Sequence, residues 1–186
     1  EAARAIVYLT AVAVDRAHHG QDEEERRSNQ GLADLLTPIA KAYGTDVGVD
    51  VASMGVQVHG GMGYIEETGA AQHYRDARIA PIYEGTNGIQ ALDLVGRKLG
   101  LDGGRHWQKL FADMRTEMEG WSEIEALADM KSQITEALDA LSNVTYWLIE
   151  QGVKNPDQLA SAATPYLRMF ALTLGGYLLA KQAVAG

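Results

Sequence analysis

Long apolar stripes at helical spacing, glycine and proline punctuation between them, and no run of alternating apolar and polar residues predict an all-α chain. The stripes are long enough for a helical bundle followed by a smaller helical extension. The first helix is predicted over residues 1–19, where Ile6, Leu9, Val12 and Ala13 return to one face. Gly20-Gln21 breaks the pattern. Asp22 to Arg27, an acidic cluster followed by a basic pair, reads as a solvated loop or helix end. A second helix is predicted from about residue 32 to 58, with a stripe of Leu35, Leu36, Ile39, Tyr43, Val47, Val51 and Met54. Pro38 falls in its first turns, where a missing N–H costs little. Gly44, Gly48 and Gly55 each weaken it by about 1 kcal/mol relative to Ala. They predict the close approach of a neighbouring helix or a ligand.

Gly60-Gly61-Met62-Gly63 ends this helix, because glycine supplies the positive φ of a helix stop. From Glu66 to about Ala80 the pattern predicts a loop and a short helix ending at Pro81. Thr86 is a good N-cap and opens the next helix, with Ile89, Leu92, Val95 and Leu99 as its stripe and Arg97 and Lys98 in its last turn. Leu101-Asp102-Gly103-Gly104 is the predicted boundary between a unit of residues 1–102 and one of residues 103–186. Beyond it, helices are predicted over roughly 105–119, 123–151 and 157–184. Trp107, Leu110, Phe111 and Met114 line the first; Ile124, Leu127, Ile134, Leu138, Leu141 and Leu148 line the second. Asn155-Pro156-Asp157 opens the third, in which Pro165 predicts a kink or a split.

With 186 residues the chain buries a real core in one or two domains. Its net charge of −9 argues against nucleic acid and against an anionic membrane surface as partners. The absence of cysteine excludes disulfides, thiolate metal sites and cysteine nucleophiles. The apolar run Met169 to Ala180 is short and broken by Thr173, Gly175 and Gly176, so no bilayer span is expected. Glu1 opens the chain without an initiator Met or a basic secretory leader, which reads as a start inside a longer protein. The five histidines and the carboxylates make no H-E-x-x-H or other metal spacing, so no metal is expected. His18-His19 at a helix end should face solvent. Arg75-Asp76-Ala77-Arg78 should form ion pairs on a short helix, of little worth when exposed. Trp107, Trp121 and Trp147 read as packing residues.

Chemistry concentrates between residues 57 and 90. Glu84 lies between Tyr83 and Gly85, just outside the helix start at Thr86, with Pro81 and Gly85 bracketing it. Alone it is an acid favoured by a positive dipole end. Held at a chain reversal, a carboxylate can also be aimed into a pocket as a general base, as abstraction of a carbon-bound proton beside a thioester requires. Burial of that carboxylate by a bound acyl chain would strengthen it as a base. The Gly60-Gly61-x-Gly63 cluster is a helix stop, or else a place where backbone N–H groups meet a pyrophosphate, to which Gln57 adds an amide. It is not the dinucleotide fingerprint, which follows a strand. His59 beside it reads as a cofactor-edge or interface residue.

Together Gln57-Val58-His59-Gly60-Gly61-Met62-Gly63-Tyr64, Tyr74-Arg75-Asp76-Ala77-Arg78 and Ile82-Tyr83-Glu84-Gly85-Thr86 with Ile89-Gln90 resemble the C-terminal helical domain of acyl-CoA dehydrogenases in order, spacing and residue type. The resemblance covers residues 1 to about 100. From about 105 onward the chain more loosely resembles the extra helical domain of larger members, such as the 3-methylmercaptopropionyl-CoA dehydrogenase type. The resemblance implies an enzyme that removes the α proton of an acyl-CoA with Glu84 and passes the β hydride to FAD, giving a trans-2-enoyl-CoA. It implies Tyr83 and Gly85 at the substrate, and Thr86, Asn87 and Gly88 at FAD. Gln57, Val58, His59, Gly60 and Gly61 would reach the FAD of a neighbouring subunit. Asn87-Gly88 stands where the family more often has Ser-Gln. A homodimer or homotetramer, electron-transfer flavoprotein as acceptor and a bacterial cytoplasm are the further expectations, with a mitochondrial matrix as the other compartment. The family's N-terminal helical and middle β domains have no counterpart in this chain, which implies a fragment inactive alone. Two other readings stay open: a non-catalytic helical oligomerisation module, and an acyl-CoA oxidase of the same fold.

Overall fold

Asp22 starts the longest element of the molecule. Its side chain caps the helix by accepting the Glu25 N–H at 2.8 Å, while the Glu25 carboxylate accepts the Gln21 N–H at 2.8 Å. Glu23, Glu24 and Glu25 fill the first turn, where the helix dipole favours acids. The acidic cluster, expected to be a solvated loop or a helix end, is therefore a helix end, the start of α2 (Glu23–Val58), which is 36 residues long and begins well before the expected residue 32. Pro38 then lies deep inside α2 rather than in its first turns, and it is buried. Thr37 Oγ1 donates to the Ala33 carbonyl one turn back, beside the place where proline withholds its own N–H.

The structure is a computed structural model that describes residues 1–123, 128–152 and 154–185. Among the described residues it has eight α-helices and no strand. The others are α1 (Ala2–His19), α3 (Gly61–Tyr64), α4 (Ala70–Ala77), α5 (Asn87–Asp93), α6 (Arg105–Glu119), α7 (Ala128–Gly152) and α8 (Pro156–Ala185). Short 3-10 turns link several of them, and a π turn over Leu94–Lys98 continues α5. Ile124 and Leu127 lie outside the described residues. The connection at 20–22 is too short for anything but an antiparallel α1–α2 hairpin. On α1, Ala5, Ile6 and Ala13 are buried, but Val12, expected on the same face, is exposed. The stripe of α2 holds at Leu35, Leu36 and Ile39 and fails at Val51 and Met54, which are exposed. Gly44, Gly48 and Gly55 meet nothing within 4 Å at their Cβ positions, so among the described residues no element makes the close approach they predict.

The π turn moves the buried face of the α5 region. Leu99 N–H reaches the Leu94 carbonyl, five residues back, at 3.0 Å. Ala91, Leu94, Val95 and Leu99 are buried, while Ile89 and Leu92 of the expected stripe are exposed. Lys98, the last residue of the turn, pairs with Asp34 of α2 at 2.9 Å.

Three successive residues, Asp102, Gly103 and Gly104, have positive φ at the expected boundary. The chain reverses there, yet the buried core runs on through both sides of it, from Ile6 and Leu36 through Leu94 to Phe111, Leu138 and Phe170. α6 buries the four residues expected, α7 buries Ile134, Leu138, Leu141 and Leu148, and α8 passes Pro165 without a break in its assignment. Trp107 packs edge-on to Phe111 at 5.4 Å and to Tyr146 at 5.1 Å, and Trp121 stacks on Tyr177. Trp147 departs from the packing role expected of it: it faces outward on α7, 45% exposed. His18 and His19 are exposed, as expected. Arg75 pairs with Glu66 at 2.6 Å rather than within its own helix, and Asp76 accepts from Gln72.

Candidate active site

Glu84 is in the left-handed region, at φ 52°, and Gly85 follows at φ 84°. A non-glycine residue there costs about 1–2 kcal/mol, because its Cβ crowds the following carbonyl. The turn is closed locally. Tyr83 N–H donates to Ile79 O at 3.1 Å, and Asn87 N–H donates to Pro81 O at 3.1 Å. Thr86 caps α5 by accepting the Ile89 N–H at 3.3 Å, as its position predicts. Both left-handed carbonyls have side-chain donors. Gln90 Nε2 reaches Glu84 O at 3.3 Å, and Lys41 Nζ reaches Gly85 O at 2.7 Å. The side chains of Tyr83 and Glu84 lie open at the surface of this chain, with Tyr83 51% exposed.

α2 holds this turn from below. Lys41 Nζ also donates to Asn87 Oδ1 at 2.7 Å. Asn87 Nδ2 points at Ala42 O, Thr45 Oγ1 and Asp46 Oδ1, at 3.1, 2.9 and 2.7 Å. The Asn87 side chain is thereby committed to α2, and its N–H to Pro81 O. Charge-assisted hydrogen bonds of the Lys41 kind contribute about 1.5–3 kcal/mol each, enough to offset the left-handed strain. Beside Asn87 and Gly88 a cleft of ≈140 Å³ runs between α2, α5 and α8, lined by Tyr43, Asp46 and Asp50 from α2 and by Thr164 and Arg168 from α8.

Lys41, Thr45 and Asp46 carry no signal in the sequence that sets them against residues 85–87. They are polar positions on a predicted helix, and only the path of residues 59–86 back along α2 brings the turn onto them.

The second cluster is separate. Gln57, Val58, His59, Gly60 and Gly61 are all exposed at the C-terminal end of α2. Gly60, at φ 60°, makes the stop, and nothing lies within 4 Å of its Cβ position or of that of Gly61. Gly63 is glycine for another reason: a Cβ there would stand 2.2 Å from the Val56 carbonyl. His59 Nδ1 donates to Gly55 O at 2.9 Å, so its ring folds back on its own helix. Asp46 and Gln57 are both on α2, and at 1.5 Å per residue they are roughly 17 Å apart along its axis. The chain therefore brings Tyr83–Gly88 together as one group and sets Gln57–Gly61 apart as another. The exposed, uncrowded backbone at Gly60 and Gly61 suits the close approach of a ligand.

Among the described residues, no cluster of three or more His, Asp or Glu is gathered as for a metal ion, and no helix is long and apolar enough to cross a membrane.

Residues 1–100 match the family model described as "Acyl-CoA dehydrogenase, C-terminal domain", and residues 110–186 match "Acetyl-CoA dehydrogenase C-terminal like". The 3-methylmercaptopropionyl-CoA dehydrogenase of Ruegeria pomeroyi is 43% identical over the whole chain, which spans 32% of that protein. A caffeyl-CoA reductase-Etf complex subunit, CarC, of Acetobacterium woodii is 32% identical over 53% of the chain and 23% of its own length. Among solved structures, Caenorhabditis elegans ACDH-11 in complex with C11-CoA superposes with a TM-score of 0.80, over 96% of this chain and 29% of that one, at 24% identity. That likeness shows the fold. The chain spans about a third or less of each of these proteins.

Proposed function

This chain belongs to the acyl-CoA dehydrogenase family, and from that premise we propose that it serves as the C-terminal region of a flavin-dependent acyl-CoA dehydrogenase. In this reading Glu84 removes the α proton of an acyl-CoA thioester. Tyr83 and Gly85 meet the substrate, and the product is a trans-2-enoyl-CoA. The observation that carries the reading is the Tyr83–Glu84–Gly85 turn, an open carboxylate on a strained, doubly anchored backbone at a helix start.

FAD, when bound, supplies the hydride acceptor. Thr86, Asn87 and Gly88 would hold it from one subunit. Gln57, Val58, His59, Gly60 and Gly61 would hold it from a neighbour. The spacing of the two groups along α2 supports their serving two different flavins, and so a homodimer or homotetramer. Exposed Val51, Met54 and Val58 on the same helix support a further protein surface there. Electron-transfer flavoprotein is the proposed acceptor, which the relative named as an Etf-complex subunit supports. A bacterial cytoplasm is the proposed compartment. We also propose the functional division at 102/103, with the isolated chain inactive, because the turn offers its base to open solvent.

The test is anaerobic bleaching of the flavin by a panel of acyl-CoAs, in a full-length protein carrying this chain, with and without Glu84→Gln. The parent is expected to bleach, and the variant to retain FAD and stay oxidised. Equal bleaching by both would remove Glu84 from the base role. Failure of the parent to hold any flavin would leave the helical oligomerisation module as the better reading. Oxygen uptake during turnover, if it kept pace with product, would indicate an oxidase.

A further inference from the structure

We propose that Lys41 is a positioning residue for the base: its ammonium holds the Glu84–Gly85 turn in its left-handed conformation by gripping the Gly85 carbonyl and the Asn87 side chain at once. The proposal rests on the dehydrogenase reading of Glu84. Two consecutive residues with positive φ turn their carbonyls away from any helical partner, so those oxygens need donors from elsewhere. Gln90 serves the first, but it belongs to α5, the helix the turn itself opens, and it moves with the turn. Lys41 serves the second from α2, the helix that holds much of the buried core, 44 residues earlier in the chain. It is thus the only donor, among the described residues, that ties the Glu84–Gly85 backbone directly to α2.

The grip is two-pronged. The same Nζ stands 2.7 Å from Gly85 O and 2.7 Å from Asn87 Oδ1. Asn87 in turn is fixed by Ala42 O, Thr45 Oγ1 and Asp46 Oδ1. Lys41, Ala42, Thr45 and Asp46 lie on one turn and a half of α2, so five contacts from four residues share one rigid support. Asn87 sets where α5 begins; Lys41 sets how the backbone ahead of it is twisted. Removing Lys41 leaves Asn87 anchored but frees the Gly85 peptide to rotate, and the carboxylate one residue back swings with it. A base aimed at a carbon-bound proton tolerates little such movement.

The experiment uses the full-length flavoprotein carrying this chain, with Lys41→Met, which keeps length and removes the donors, and Lys41→Arg, which restores donors and charge. Lys41→Met is expected to slow anaerobic flavin reduction by roughly 30- to 100-fold, with acyl-CoA affinity and FAD content kept to within about twofold. Amide exchange at Tyr83 and Asn87, the hydrogen-bonded amides of the turn, is expected to quicken by about tenfold while α2 is unchanged, and Lys41→Arg to recover most of both readings. Parent-like reduction and parent-like exchange in Lys41→Met would overturn the proposal. So would faster exchange throughout α2 with loss of FAD, which would make Lys41 a general fold residue. If Glu84→Gln also reduces its flavin at the parent rate, the dehydrogenase reading fails by itself. Exchange at Tyr83 and Asn87 still decides whether Lys41 holds the turn.

Discussion

Glu84 is a conformational oddity before it is a candidate base. Only two non-glycine residues of the described chain have positive φ, and it is one of them. A glycine there relieves about 1–2 kcal/mol of crowding and returns about 0.5–1 kcal/mol through its greater freedom when unfolded. Glu84→Gly should therefore keep or slightly raise the Tm, while flavin reduction by acyl-CoA disappears; a fall of several degrees would show that the glutamate side chain stabilises the fold. Gly85→Ala should do the reverse. Its φ of 84° and a Cβ position 3.1 Å from Gln90 Nε2 predict a loss of about 1–2 kcal/mol, measured by denaturant unfolding. Thr86 as cap and Gly60 as stop were legible in the sequence because each uses the residue type that its geometry favours. The left-handed Glu84 was not, since glutamate is a poor choice for that conformation and only Lys41 and Gln90, brought in by the fold, make it tenable.

At the scale of elements, the sequence placed the helices well and their faces less well. α6 is the clear success: Trp107, Leu110, Phe111 and Met114 are all buried, because an uninterrupted helix keeps its phase. The stripe from Ile89 to Leu99 lost phase at the π turn, which adds a residue that no periodicity count anticipates. Asp22 to Arg27 left two readings open. A charge cluster is equally a solvated loop and a capped first turn, and the Asp22–Glu25 pair settles it by hydrogen bonds that residue types alone do not reveal. Gly31 carries no signal in the sequence, yet a Cβ there would stand 2.0 Å from the His106 ring, which lies directly over it. Gly31→Ala should therefore lever α6 from α2 and lower stability by about 1–3 kcal/mol. Adding His106→Ala should recover part of that loss, and thermal melts of the two single variants and the double variant measure the coupling.

For the whole molecule, the buried core ignores the change of chain direction at Gly103-Gly104. Phe170, fully buried on α8, packs against Phe111 of α6 at 5.4 Å and against Tyr166. Phe170→Ala should cost about 3–5 kcal/mol, and both sides of the boundary should melt together in one calorimetric transition. Two separate transitions would count against the shared core. Glu117 links α6 to α8 through Lys181 at 2.8 Å and the Tyr177 hydroxyl. Burial pushes its carboxyl up, but the hydrogen bonds from Lys181 and Tyr177 together prevail and hold it below its ordinary value of 4.5. A lowered folded value stabilises the protein above the ordinary pKa, and that contribution fades as pH falls through the folded one. The stability gap between the parent and Glu117→Gln should be flat from neutral pH to about 5 and close below 4.5. For so exposed a carboxylate its size should stay under about 1 kcal/mol.

α2 behaves mechanically as a beam clamped at one end. Its first two-thirds are bolted by Leu35, Leu36, Ile39 and Ala42 into the core, and its last third leaves Val51, Met54 and Val58 exposed, backed by the short α3 and with Gly48 and Gly55 as weak points. A beam loaded that way bends at its overhang. The Lys41 turn rests on the part held by the core, whereas Gln57–Gly61 sits at the tip, where a small rotation at a glycine is felt most. Whatever covers the overhang therefore sets the reach of the tip, while the rooted turn keeps its geometry with or without that cover.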